Sequence, residues 1–105
     1  MANDSFKALA HPLRRDIVER LSGGVASVGE ATRGFGVSKP TISRHLRILE
    51  DAGVVSRVID GRTHRLALRP EGLAEASAWI ELQRHRWERL FDAVGDYLEE
   101  RKPRP

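Results

Sequence analysis

A chain of 105 residues supports one domain with a single core, not two. Hydrophobic residues at 40 % and charged residues at 31 % argue against wholesale disorder, and no uncharged run is long and apolar enough to cross a bilayer. There is no cysteine, which excludes disulfides, thiolate metal sites and cysteine nucleophiles together. No charged-then-apolar leader begins the sequence, and the expectation is a cytoplasmic protein without membrane contact. The formal charge of +3 is unevenly spread. Residues 38–70 hold seven Lys or Arg against three Asp or Glu, while residues 71–98 hold three against six. A positive middle and a negative rear suggest one surface facing a polyanion and another facing something else.

In chain order, Asp4 is placed to cap a short helix that carries Phe6 and Leu9 and ends near His11-Pro12. Pro12 suits the first turn of a second helix, where a missing N–H costs nothing. Leu13, Ile17 and Leu21, with Val18 beside them, give that helix one apolar face, and Ser22-Gly23-Gly24 stops it. Ser27-Val28-Gly29-Glu30 matches a capping box, opening a helix that Gly34-Phe35-Gly36 breaks within two turns. Ser38 caps again, with Pro40 tolerated in the first turn, and Ile42, Leu46 and Leu49 line one face before Gly53 ends the helix. A helix, a glycine-containing turn and a second capped helix form a helix-turn-helix pattern.

Two strand-like runs follow, Val54 to Ile59 and Thr63 to Leu68, with Asp60-Gly61 as the hairpin signal between them. The arms carry Arg57, Arg62, His64 and Arg65, so a basic hairpin directly succeeds the helix-turn-helix. That combination is a winged helix. From Glu71 to about Arg101 only Gly72 and Gly95 interrupt helical periodicity. Leu73, Ala76, Ile80, Gln83, Trp87, Leu90, Val94 and Tyr97 alternate by three and four, and Trp79, Phe91 and Leu98 widen the stripe. A helix of that length, about 45 Å, exceeds the width of a globule this size, and a second copy of the chain is the simplest partner.

The predicted fold is mainly α with a small β-hairpin. It is a winged helix-turn-helix in the order α-α-α-α-β-β-α, with a long C-terminal dimerisation helix. Residues 1–101 form the single DNA-binding and dimerisation domain, and 102–105 are expected to be a disordered tail. The recognition helix spans 38–51 and the wing 54–69. With Ile42 as the core direction, Pro40, Thr41, Arg44 and Arg47 point outward, with Lys39 and Ser43 at the flanks. Arg44 suits a base contact, because its planar fork pairs with O6 and N7 of guanine. Thr41 and Ser43 suit bases or phosphates, Lys39 and Arg47 suit phosphates, and Ser38 offers an amide-rich helix start. His45 sits at the edge of the buried side, as either a phosphate contact or a satisfied core residue. Arg62 at the hairpin tip suits the minor groove, and Arg57 and Arg65 suit flanking phosphates.

The strings FKALAHPLRRDIVERL, VSKPTISRHLRILEDAGVV and IDGRTHRLAL resemble the ArsR-type bacterial transcriptional regulators over residues 6 to about 98. The resemblance implies a homodimeric winged-helix repressor of a palindromic operator. It implies DNA-reading positions at Ser38, Lys39, Pro40, Thr41, Ser43, Arg44 and His45, with Arg62 at the wing. It places the dimer interface on Phe6, Leu9, Trp79, Ile80, Gln83, Trp87, Leu90, Phe91 and Val94. Metal-sensing members carry a Cys-x-Cys motif on the short helix before the recognition helix, or an Asp-x-His pair with ligands on the last helix. Here the short helix reads SVGEATR, and His85 with Glu81 and Glu88 lacks the upstream pair, so no metal and no cofactor is expected. Trp79, Trp87, Phe91 and Tyr97 are read as dimer core, with an effector cavity as the alternative. A protein-interaction module binding an acidic partner is the competing function. No cluster supplies a nucleophile with its base or a phosphate-cradling loop, so an enzyme is not expected.

Overall fold

A computed structural model describes residues 2–101. The expected disordered tail at 102–105 lies outside the described residues. Five helices and three strands follow one another as α1 (Ala2–Ala8), α2 (Pro12–Leu21), β1 (Ala26–Ser27), α3 (Val28–Ala31), α4 (Lys39–Asp51), β2 (Val55–Asp60), β3 (Thr63–Leu68) and α5 (Ala74–Arg101). A 3₁₀ turn, Pro70–Leu73, joins β3 to α5. The helix-turn-helix, the hairpin and the long last helix stand where the sequence predicts them.

The caps explain the boundaries. Ser27 accepts a hydrogen bond from the Glu30 amide at 3.1 Å while Glu30 accepts one from the Ser27 amide at 3.4 Å, completing the capping box. Hydrogen bonding from the Ser27 side chain and then from its backbone amide holds the Glu30 carboxyl below its ordinary pKa. Ser38 Oγ accepts from the Thr41 amide at 3.3 Å and caps α4. At the far end Gly53 adopts φ +72°, its amide donates to the Glu50 carbonyl, and the Val54 amide donates to the Leu49 carbonyl. This is the paired bonding of a Schellman stop. The N-terminus of α1 differs from expectation. The helix already runs from Ala2, so Asp4 lies in its first turn rather than at its cap. The cap of α2 is His11, whose Nδ1 accepts from the Leu13 amide at 3.1 Å.

The core gathers residues from the first four helices and the sheet: Ala8 of α1, Ile17 and Leu21 of α2, Ala31 of α3, Leu46 and Leu49 of α4, and Leu66 of β3. Val54 and Val55 close it from the start of the hairpin. Leu13, Val18 and Ile42 are partly buried against it. The sheet has three antiparallel strands in the order β1-β3-β2, one more than the hairpin alone. Ala26 pairs with Leu66 and Ser27 with Arg65, which ties the segment before α3 to the base of the wing.

The wing turn also shifts by one residue. Asp60 pairs with Thr63, leaving Gly61-Arg62 as the two-residue loop. Gly61 has φ +62° and Arg62 does not enter positive φ, the pattern of a type II′ turn and not the Asn-Gly type.

Beyond this compact body α5 projects as a 28-residue rod. The radius of gyration is 20.4 Å and the extents are 76 × 26 × 22 Å. A compact domain of about 100 residues has a radius of about 13 Å. Only the first turns of α5 pack inward, where Ala76 is buried and Trp79 meets Phe6 edge to face at 5.6 Å.

Candidate nucleic-acid interface

The candidate reading face is built from the start of α4. The Ser38 cap leaves the first amides of α4 at the surface, and Ser38 Oγ lies 2.9 Å from Thr41 Oγ1, fixing both hydroxyls. Lys39, Pro40, Ser43, Arg44 and Arg47 are exposed on the same side of the helix, and Thr41 is half-buried. Opposite them Leu46 and Leu49 anchor the helix in the core. Among the described residues Lys39, Arg44 and Arg47 make no ion pair, so three positive charges stand uncompensated on one face. Arg20 braces the turn that leads into this helix. Its Nη1 donates to the Arg33 carbonyl at 2.7 Å and to that of Ala31 at 3.3 Å, and its guanidinium stacks 4.2 Å from the Phe35 ring centre.

Of the wing arginines, Arg62 is exposed in the tip loop, without an ion pair among the described residues, and Arg65 is exposed on β3. Arg57 behaves differently. It shares the inward side of the hairpin with Val55, and its register partner there is Leu66. Its Nε donates to Glu50 Oε1 at 2.6 Å and its Nη1 lies 3.1 Å from His64 Nδ1. Because arginine only donates, His64 Nδ1 is the acceptor. The Arg57 charge is paired with the last turn of α4, and the residue ties the wing to that helix.

His45 also departs from the surface set. It is 5 % exposed, its Nδ1 lies 3.0 Å from Arg14 Nη1, and its ring sits 4.5 Å from that of His11. The structure thereby favours its reading as a satisfied core residue. Arg14 is itself buried and donates from Nε to the Ala8 carbonyl at 2.7 Å and from Nη2 to the Lys7 carbonyl at 3.1 Å. Sequence reasoning passed over Arg14, His11 and Glu50. One signal was present for the first: Arg14 precedes Ile17 by three and Leu21 by seven, which puts a charge on the apolar face of α2. His45 likewise stands three after Ile42 and four before Leu49.

Burial holds the His45 pKa below its ordinary 6.5, and the positive surroundings of His11, Arg14 and Arg44 act in the same direction. The neutral ring is therefore the folded form, and the unfolded chain binds the proton more readily. Stability from this residue is fully present above about pH 6.5 and falls as the pH drops through that value toward the lowered folded pKa. Chemical denaturation from pH 7.5 down to 5.5 should show this loss, and His45→Asn should flatten the profile over that window.

A family model described as a helix-turn-helix domain matches residues 9–58. The transcriptional repressor SdpR of Bacillus subtilis is 37 % identical over 78 residues, which span 74 % of this chain and 87 % of SdpR. The crystal structure of an ArsR family transcriptional regulator is 36 % identical with a TM-score of 0.77, covering 82 % of this chain and 89 % of that one. The chain belongs to the ArsR family of transcriptional regulators. A further relative, the HTH-type transcriptional regulator Rv2034 of Mycobacterium tuberculosis, is 43 % identical over 70 residues, 67 % of this chain and 65 % of Rv2034. This ArsR-family protein is a DNA-binding transcriptional regulator with a winged helix-turn-helix fold.

Within the ArsR framework the last helix carries mixed charge around His85. Its Nε2 lies 3.7 Å from Glu81 and its Nδ1 3.9 Å from Glu88, while Arg84 contacts the same two carboxylates at 2.7 and 3.8 Å. These side chains are all more than half exposed, the arrangement of solvated ion pairs along a helix. Among the described residues no group of three or more His, Asp or Glu is arranged to hold a metal. No helix of the described residues is long and apolar enough to cross a membrane.

Proposed function

We propose that this ArsR-family regulator is a homodimeric repressor of a palindromic operator, acting in the cytoplasm by occupying DNA and not by catalysis. One observation carries the reading: the same chain bears an uncompensated basic face on α4 and a long apolar stripe left open to solvent on α5. Trp87 is 62 %, Leu90 58 % and Phe91 70 % exposed. Such a contiguous patch marks an interaction surface. A second copy of α5 covers Trp79, Ile80, Gln83, Trp87, Leu90, Phe91 and Val94, with Phe6 of α1 and Leu9 just beyond its end at the margin. Two-fold pairing then sets two recognition helices about 34 Å apart, one turn of B-form DNA. The name of SdpR supports repression as the outcome.

Within each half-site α4 lies in the major groove. Arg44 reads a guanine edge, Thr41, Ser43 and Pro40 meet neighbouring bases or phosphates, and Lys39, Arg47 and the Ser38 end hold the backbone. Arg62 reaches the minor groove and Arg65 a flanking phosphate, while Arg57 supports them from behind.

Selection of duplex sites from a random pool tests this directly, with an inverted repeat as the expected product. On the selected site Arg44→Ala should cost about 1–3 kcal/mol and relax base preference at one position per half-site. Lys39→Ala should weaken all duplexes alike and lower the salt slope by about one. Equal losses on selected and random duplex for Arg44→Ala would remove the base-reading assignment.

A further inference from the structure

Arg14 stands at the junction of three helices and belongs to neither the DNA contacts nor the dimer contacts proposed above. Its guanidinium belongs to α2, two of its nitrogens cap the last carbonyls of α1 at Ala8 and Lys7, and the third meets His45 on α4. We propose that Arg14 is a positioning residue that, through His45, fixes the recognition helix to the C-terminal end of α1, so that the reading face and the dimer-forming helices move as one body. This rests on the proposed reading of α4 as the DNA-reading helix.

The chemistry of the junction restricts it to one arrangement. Arginine has five donors and no acceptor, so His45 Nδ1 must be the unprotonated nitrogen and the ring proton must sit on Nε2. The charge on Arg14 is shared among two backbone carbonyls and one ring nitrogen, without any carboxylate. The groups that act on His45 are His11 at the start of α2, Arg14 within α2 and Arg44 on its own helix, and each opposes a further positive charge there. The ring therefore stays neutral and the bond directional. Its location matters because Arg44, the base-reading candidate, is the preceding residue, so the backbone that aims Arg44 is pinned by its neighbour. On the other side, Phe6 of α1 meets Trp79 of α5 at 5.6 Å. A continuous line of contacts thus runs from the paired last helices through α1 and Arg14 to the reading face.

A merely space-filling arginine would stabilise the fold without dictating the tautomer of His45. Nitrogen-15 NMR of the full chain at pH 7.5 distinguishes the two. The wild-type His45 ring should show a protonated Nε2 and an unprotonated Nδ1, Arg14→Met should give mixed tautomers, and Arg14→Lys, which keeps a donor, should largely restore the wild-type pattern. On the selected inverted repeat, Arg14→Met should lower the ratio of specific to random-duplex affinity about tenfold, with Arg14→Lys recovering most of it and sedimentation unchanged. A protonated Nδ1 in the wild type, or an unchanged ring in Arg14→Met, overturns the proposal. So does a tenfold loss that Arg14→Lys fails to relieve at all. If Arg14→Met does not fold, the wild-type tautomer and the Lys variant decide the matter. A wild-type chain that binds no duplex would remove the proposed function instead, and the imidazole measurement would still judge the pair.

Discussion

With Leu90 and Phe91 both replaced by glutamate, the chain should sediment as a single protomer at micromolar concentration. It should bind an inverted-repeat duplex no more tightly than an isolated half-site. Both side chains are more than half exposed in the single chain, so the substitutions remove nothing from its own core. Glutamate is also a good helix former, and α5 should persist in circular dichroism. In the proposed dimer each position would gain on the order of 1.5–3 kcal/mol from burial. Two such positions per protomer, repeated by symmetry, lose that gain, and the four new carboxylates would face one another across the seam. The effect on DNA is larger than the effect on any single contact. A dimer makes its second half-site an intramolecular event, worth about 10²–10⁴ in overall affinity. A variant that remains dimeric and retains full operator affinity would move the dimer seam away from α5.

The legible parts of this fold share a physical feature: their determinants are local. Ser27, Ser38 and Gly53 act on amides or carbonyls within a few residues, so capping box, cap and helix stop are readable from spacing alone. The stripe on α5 is readable for the same reason. What escaped the sequence is long-range. Pairing of Ala26-Ser27 with β3 depends on how α3 packs against the wing. The inward turn of Arg57 follows from strand alternation anchored by Val55, and its partner Glu50 lies on another element. Arg14 and His45 are separated by 31 positions, and although each falls on an apolar face by spacing, nothing local pairs the two. The exposed cations of α4 were the easiest part, because an outward side chain needs no partner to be identified. The buried polar residues behind them were the hardest, because each is defined by what it touches.

Gly72 shows the same boundary from the side of stability, and Gly72→Ala should be among the most damaging single changes in the chain. By sequence it is only an interruption of helical periodicity. In the structure it lies in the 3₁₀ turn before α5, pressed against the glycine that ends α4. A Cβ at Gly72 would stand 2.1 Å from the Gly53 carbonyl oxygen, 2.4 Å from its carbon and 2.8 Å from the Val54 nitrogen. All three are backbone atoms, so no side chain can rotate away. Gly53 itself holds φ +72° as the helix stop, which keeps its carbonyl from turning aside without undoing the end of α4. The Gly72 carbonyl also accepts a hydrogen bond from the hydroxyl of Ser5, which is buried in α1, so a shift of the turn pulls on α1 as well. Relief therefore requires moving the start of α5 away from the body, and the cost should reach about 3 kcal/mol or more, at the upper end for overpacking. For a domain of this size that lowers the melting temperature by roughly 12 °C or more at fixed protein concentration. Gly23→Ala is the control: the new methyl would lie 3.9 Å from the Arg20 carbonyl oxygen, an ordinary contact, and stability should change by no more than about 0.5 kcal/mol. Equal melting temperatures for the two variants would mean that the turn before α5 yields without resistance, and that the last helix is not held in register with α4 by this contact.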